Sequence, residues 1–250
     1  MKKIIVFVFV FSHLSSFASL VTWDSAEGRK FFGSSQYKDD FFQIANHFTS
    51  QNNKISCGLA SSVIIMNALR LNKTDNLPED RSSIHKKGLI NIPEKFNPFF
   101  KKFTQFNILS DKTKSREIVF GKKIKKDGKE VSDYGLQLHQ LESVFKAYKV
   151  SVRKRVVTGK LSKKTILEEM KTNLLNSSNF ILVNYARKTL GQKGGGHISP
   201  IGAYDEKSDT FLIMDVNPNK APWVWVKSDL LIKAMNSFDT VENRGYLLIN

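Results

Sequence analysis

A chain of 250 residues with 41% hydrophobic and 25% charged residues can bury one sizeable core, and that balance excludes intrinsic disorder. Lysine and arginine total 39 against 23 acidic residues, a formal charge of +16 that favours anionic ligands or surfaces without naming one. The single cysteine, Cys57, rules out an internal disulfide framework, a cysteine-based zinc site and an iron–sulfur cluster.

Lys2 and Lys3 precede an apolar run from Ile4 to Phe11, and Ser16-Phe17-Ala18 has the small-x-small form of a signal-peptidase site. The expectation is a secretory signal over residues 1–18 and an exported chain, periplasmic or secreted, with one domain over 19–250. No stretch reaches the ~20 apolar residues of a membrane span. Oxidising compartments leave few free thiols, so a lone exported cysteine points to chemistry or burial. Ser25 is set to cap a helix through Phe32, and Tyr37 to Phe48 puts Phe41, Ile44, Ala45 and Phe48 on one helical face. From Cys57 to Arg70 the sequence is apolar around more than one face, which predicts a helix buried in the centre of a domain with Cys57 at its N-terminus. Residues 72–130 show little period and read as an irregular basic insertion or lid. Leu136 to Tyr148 is helical by its apolar spacing, Val152 to Val157 reads as a strand, and Ser162 opens a helix with Ile166, Leu167, Met170 and Leu174 inward. Short apolar runs at Phe180–Val183, Ile198–Tyr204, Phe211–Val216 and Tyr246–Ile249 predict strands, with a hairpin loop over Asp205–Asp209 and a helix capped by Ser228 running to Met235. Helices first and strands last, without βαβ alternation, give an α+β class.

Cys57 is the natural candidate for a nucleophile, because the positive end of its helix lowers a thiol pKa. Gly58 beside it leaves room for a carbonyl to approach the sulfur. A buried, inert cysteine is the plainer alternative. Among the histidines, His197 stands apart: it follows GQKGGG, ending in Gly196, and opens the strand HISPIGAY, so a flexible loop delivers the ring to a rigid element. His13, His47, His85 and His139 have no such setting. The loop is no phosphate cradle, since no Gly-Lys-Ser/Thr follows and the next element is a strand. Antiparallel strands joined by a short hairpin bring the start of one beside the end of the next, so His197 and Asp215 are expected as neighbours, Asp215 fixing the imidazole tautomer. Gln51 offers a side-chain N–H to an oxyanion, with the Cys57 N–H as second donor.

The segments QNNKISCGLASSVIIMNAL, YARKTLGQKGGGHISPIGAYDEKSDTFLIMDV and PWVWVKSDLLIKAMNSFDTVENRGYLLI resemble the catalytic domain of phytochelatin synthases and their bacterial relatives, in the papain-like cysteine peptidase clan. The resemblance implies a papain-like fold, with a helical lobe carrying the nucleophile on a buried helix and an antiparallel sheet lobe carrying His and Asp. It implies a triad of Cys57, His197 and Asp215 with Gln51 as oxyanion donor, acting on the cysteinyl-glycine bond of glutathione. Gly58 and Gly196 would face the substrate, while Arg187, Lys188 and Arg244 would pair with its carboxylates. No metal site or cofactor is implied, because metal ions ride in as glutathione thiolate complexes. Plant members carry an Ala-Arg pair after the aspartate that is associated with the second substrate. Here Asn217-Pro218-Asn219-Lys220 follows, which favours hydrolysis over chain lengthening.

Three other readings compete with hydrolysis: a phytochelatin-forming transferase, a peptidase resembling the double-glycine leader peptidases, and a non-catalytic secreted polyanion binder suggested by the charge. Interleaved basic and aromatic residues of a nucleic-acid module are not evident, so no specific nucleic acid is expected. A homodimer is left open by the sequence.

Overall fold

The computed structural model describes residues 20–70 and 77–250, so the expected signal lies outside them. In chain order come β1 (Val21–Thr22), α1 (Ala26–Ser34), α2 (Asp39–Asn46) and α3 (Cys57–Leu69). The 77–135 stretch holds a 3-10 turn (Arg81–Ser83), α4 (Lys86–Leu89), α5 (Arg116–Val119), β2 (Ile124–Lys126) and β3 (Lys129–Val131). Then follow α6 (Leu138–Ala147), β4 (Val152–Val156), α7 (Lys163–Leu174), β5 (Phe180–Ala186), β6 (Gly196–Asp205), β7 (Thr210–Ile213), β8 (Val224–Lys227), α8 (Ser228–Met235) and β9 (Gly245–Ile249).

Local chemistry sets the helix starts. The Ser25 hydroxyl accepts the Gly28 N–H at 3.0 Å to open α1, and the Ser162 hydroxyl accepts the Thr165 N–H at 3.1 Å to open α7. Gln137 and Gln140 form a capping box at α6. Ser228 behaves differently from the expectation: it is the first helical residue of α8, and its hydroxyl donates to Asp209 Oδ2 at 2.7 Å.

Seven strands form one antiparallel sheet in the order β1-β8-β7-β6-β5-β9-β4. Its strands bury both faces. Phe180, Leu182, Leu212 and Leu247 pack with Leu59 and Ile64 of α3 and Leu141 of α6, while their alternates Ile181, Val183, Phe211 and Tyr246 pack with Met170 of α7 and Leu231 of α8. Two covered faces explain why these strands read as continuous apolar runs rather than alternation. Helices thus cover the sheet on either side. Every residue of α3 from Gly58 to Ala68 is buried, as its all-round apolar sequence requires.

Four strands escaped the sequence reading: the two-residue β1, β8, and the β2–β3 pair. β8 is four residues of Val-Trp-Val-Lys placed directly ahead of a helix, too short to show a period. β2 and β3 meet at Asp127-Gly128, both with positive φ (49° and 75°), the two-residue turn that an Asp-Gly pair favours. Of the 72–130 stretch, the described residues 77–130 hold only short elements, yet Phe103, Ile108 and Val119 enter the core. Among the described residues, no helix is long and apolar enough to cross a membrane.

Candidate active site

α3 presents the partly exposed Cys57 as its first residue, and its N-cap, Ser56, makes no side-chain capping bond, so N–H groups there stay open. His197 is the second residue of β6, paired across the sheet with Tyr185 of β5 and 4% exposed. Asp215 stands two residues past β7, where the Met214 N–H still donates to the Pro200 carbonyl at 2.9 Å. Between them, the β6–β7 register shifts around Gly202, where a Cβ would lie 2.5 Å from the Met214 sulfur. His197 Nε2 lies 2.9 Å from Asp215 Oδ1. With Nε2 so committed, Nδ1 is the nitrogen left to serve the Cys57 thiol, whose ionisation the His197 ring favours.

The electrostatics follow from these contacts. Burial pushes the Cys57 thiol up, but the His197 charge, its hydrogen bond and the backbone N–H groups of Ile198 and Gly58 outweigh that and bring it below the ordinary cysteine range. Burial pulls His197 down, and the Cys57 thiolate together with Asp215 raises it above the ordinary imidazole value. Both directions favour a thiolate–imidazolium pair. Burial lifts Asp215, whereas the His197 hydrogen bond, the His197 and Arg187 charges and the Asn217 N–H hold it below the usual carboxylate range.

Cys57 and His197 open onto a cavity of about 320 Å³. One wall is the 132–137 loop, and Asn184, Gly196 and Asp239 line another part. The loop is pinned from below: Asp133 accepts from Lys114 at 2.7 Å, Gln137 at 2.9 Å and Gln140 at 2.8 Å. Asn184 Nδ2 donates to Asp239 Oδ2 at 3.1 Å, and Arg244 Nη2 donates to Asp239 Oδ1 at 2.8 Å.

The remaining expected site residues are placed as follows. Gln51 does not line the cavity: its Nε2 donates to the Asn53 carbonyl, and its backbone N–H is tied to Val216 O at 2.8 Å. Gly58 does not line the cavity and is closely packed, since a Cβ there would lie 3.0 Å from Leu136 Cβ and 3.4 Å from Ile198 Cδ1. Gly196 lines the cavity with the Arg244 guanidinium against it, 2.9 Å from where a Cβ would sit. Lys188 is exposed. Arg187 is not on the surface at all: it is 2% exposed and bonded to Asp215. The sequence reading missed that role, and it missed Tyr185, whose hydroxyl donates to Asp215 Oδ2 at 3.3 Å. It also missed Asn184 and the Asp133 loop. The available signal was polar residues inside the otherwise apolar run FILVNYA. Among the described residues, no group of three His, Cys, Asp or Glu side chains is arranged to hold a metal ion.

The sequence matches the family described as phytochelatin synthase over residues 11–246. It is 27% identical to glutathione gamma-glutamylcysteinyltransferase 1 of Arabidopsis thaliana over 242 residues, 92% of this chain and 41% of that protein. Glutathione gamma-glutamylcysteinyltransferase 3 of Lotus japonicus is 46% identical over 72 residues, 28% of this chain and 15% of that protein. The Schizosaccharomyces pombe glutathione gamma-glutamylcysteinyltransferase is 33% identical over 101 residues, 38% of this chain and 24% of that protein. The chain thus spans well under half the length of these relatives. A match covering nearly all of its residues shows that the chain belongs to the phytochelatin synthase family.

Proposed function

We propose that the protein cleaves the cysteinyl-glycine bond of glutathione through a Cys57 acyl-enzyme and releases γ-glutamylcysteine by hydrolysis. The observation that carries this reading is the Cys57–His197–Asp215 line opening onto a cavity. The Cys57 thiolate attacks the carbonyl carbon, and the His197 imidazolium gives its proton to the departing glycine amine, leaving a γ-glutamylcysteinyl thioester. Neutral His197 then takes a proton from water, whose oxygen attacks the thioester and frees the thiol. The developing oxyanion has the open Cys57 N–H at the start of α3; a turn of the Gln51 side chain away from Asn53 would add a second donor. The Asp239–Arg244 pair beside Gly196 offers a carboxylate and a guanidinium, which suit the ammonium and carboxylate of a γ-glutamyl end.

Hydrolysis is favoured over transfer because no Ala-Arg pair follows Asp215; the positions after it are Asn217, Pro218, Asn219 and Lys220. In this reading the fold is of the papain-like kind, residues 1–18 export the chain, and metal arrives only as a thiolate complex of the substrate. Mass spectrometry of glutathione incubated with the protein, with and without a thiophilic metal and beside Cys57→Ala, tests it. Glycine and γ-glutamylcysteine lost in the control are expected. Longer γ-Glu-Cys chains would instead make the protein a phytochelatin-forming transferase, as its relatives' names suggest, and turnover that survives Cys57→Ala would remove the acyl-enzyme.

A further inference from the structure

Asp215 has more partners than a histidine-orienting acid needs. Besides His197, its Oδ1 accepts from Arg187 Nη2 and the Asn217 N–H, both at 2.8 Å, and its Oδ2 lies 2.7 Å from the same Arg187 Nη2. The arginine is held from behind as well, since its Nη1 donates to Gln192 Oε1 at 2.7 Å and its own N–H to the Gly195 carbonyl at 3.0 Å. Gly194, at φ 123°, lies against the arginine stem, where a Cβ would be 3.2 Å from Arg187 Cδ. The glycine-rich loop therefore closes over a buried guanidinium rather than over a ligand.

We propose that Arg187 is a positioning residue whose charge cancels that of Asp215, so that the Cys57–His197–Asp215 line carries no net charge whether the thiol and imidazole are neutral or ionised. A lone aspartate would leave the cluster negative in both states and over-stabilise the imidazolium. Many papain-like sites orient the histidine with a neutral asparagine instead. The Asp215–Arg187 pair presents His197 with the same electrical environment while keeping a carboxylate as acceptor. Other charged or titratable groups around the line are Tyr185, edge-on to the His197 ring at 5.7 Å, Lys220 against Gly194, the Asp239–Arg244 pair against Gly196, and Lys54 and Asp133 in the cavity.

The inference rests on Cys57 being the nucleophile of the proposed reaction, and its test needs no glutathione. Because Cys57 is the only cysteine, the rate of iodoacetamide alkylation against pH reads its thiolate directly. Removing the cation in Arg187→Gln destabilises the thiolate, so the midpoint moves up by about one pH unit. Asp215→Asn leaves the cation unopposed and moves it down by a similar amount. The double variant Asp215→Asn/Arg187→Gln brings the midpoint back to the wild-type position, and Arg187→Lys stays close to it. An unmoved midpoint in Arg187→Gln, or shifts in the double variant that fail to cancel, would overturn the proposal. Should Arg187→Gln not fold, the double variant against Asp215→Asn still decides. Glycine release from glutathione, followed separately, keeps the two ideas apart: an activated Cys57 without glycine release sinks the substrate reading alone, whereas a wild-type midpoint near the ordinary ~8.5 sinks the nucleophile and this inference with it.

Discussion

Asp215, in the candidate site, and Asp40, in the second position of α2, are both buried, 2% and 0% exposed, yet they sit in opposite electrical states. Asp215 meets His197, Arg187, Tyr185 and the Asn217 N–H, and is held ionised below the usual carboxylate range despite burial. Asp40 finds no hydrogen-bond partner for either oxygen, and burial, with the neighbouring Asp39 charge, pushes it up to about 8. Burial opposes ionisation at both positions, so the partners decide which aspartate stays charged. A carboxylate meant to work on a histidine is surrounded by donors; one that serves only as a buried group is simply kept protonated.

The largest expected effect comes from breaking the first environment. Asp215→Ala removes the acceptor of His197 Nε2, and turnover of glutathione should fall by roughly 10³–10⁴-fold, as when a histidine loses its orienting acid. The same change strands Arg187 in the interior, an uncompensated buried charge that costs about 3–5 kcal/mol. Glycine release measured beside urea unfolding separates the losses, because Asp215→Ala/Arg187→Met should regain stability without regaining rate. Full activity in Asp215→Ala would remove Asp215 from the reaction.

Asp40 should express its state as a pH dependence of stability. Its folded pKa lies above the unfolded value of 3.8, so the folded protein holds a proton that the unfolded chain releases. The native state therefore loses stability as pH rises from about 4 towards 8 and is unaffected by this group below the unfolded pKa. Between pH 4 and 7 the loss is on the order of 3 kcal/mol. In Asp40→Asn that slope should be absent, so the stability difference between variant and wild type in urea unfolding should change steadily with pH across this range. An identical slope in the two proteins would show that Asp40 is ionised in the fold.

How far this could be read in advance follows from how each residue is held. His197 and Asp215 flank one hairpin, so local strand geometry brings them together, and the central helix behind Cys57 announces itself by an apolar sequence with no polar face. Arg187 was expected to meet a substrate carboxylate, and only the folded β5–β6 pairing reveals that it turns inward to Asp215. The 132–137 wall was illegible for another reason. It is fixed by side chains across a gap in sequence, Lys114 to Asp133 and to the Gly135 carbonyl at 2.9 Å, rather than by a backbone ladder or any periodic pattern. Gly58, read as access to the sulfur, also packs tightly on Leu136 and Ile198, a contact that depends on where Leu136 lies.

That wall gives an intermediate effect. Lys114 is nearly buried, and burial lowers its pKa although Asp133 acts to raise it. Asp133→Asn should cost about 2 kcal/mol by leaving the ammonium without its counter-charge. Because the loop lines the cavity while Cys57 and His197 are held elsewhere, KM for glutathione should rise about tenfold with kcat little altered. A fall in kcat with unchanged KM would place the loop in the chemistry rather than in binding.

The smallest effect belongs to a pair with the same charges and none of the burial. Lys164 and Glu168 face each other one turn apart on α7, 3.9 Å apart, with side chains 85% and 64% exposed. Water already solvates both, so bringing them together gains little and removing one leaves nothing stranded. Lys164→Ala should shift stability by less than about 0.5 kcal/mol and diminish further in high salt, in contrast to the stranded charges of Asp215→Ala and Asp133→Asn. Thermal unfolding of the three variants at low and high salt makes the comparison: salt-insensitive losses at the buried sites and a small, screened one at the surface are expected. A loss at Lys164 as large as that at Asp133 would mean that proximity of opposite charges, not the solvent withheld from them, sets the energetics of this fold.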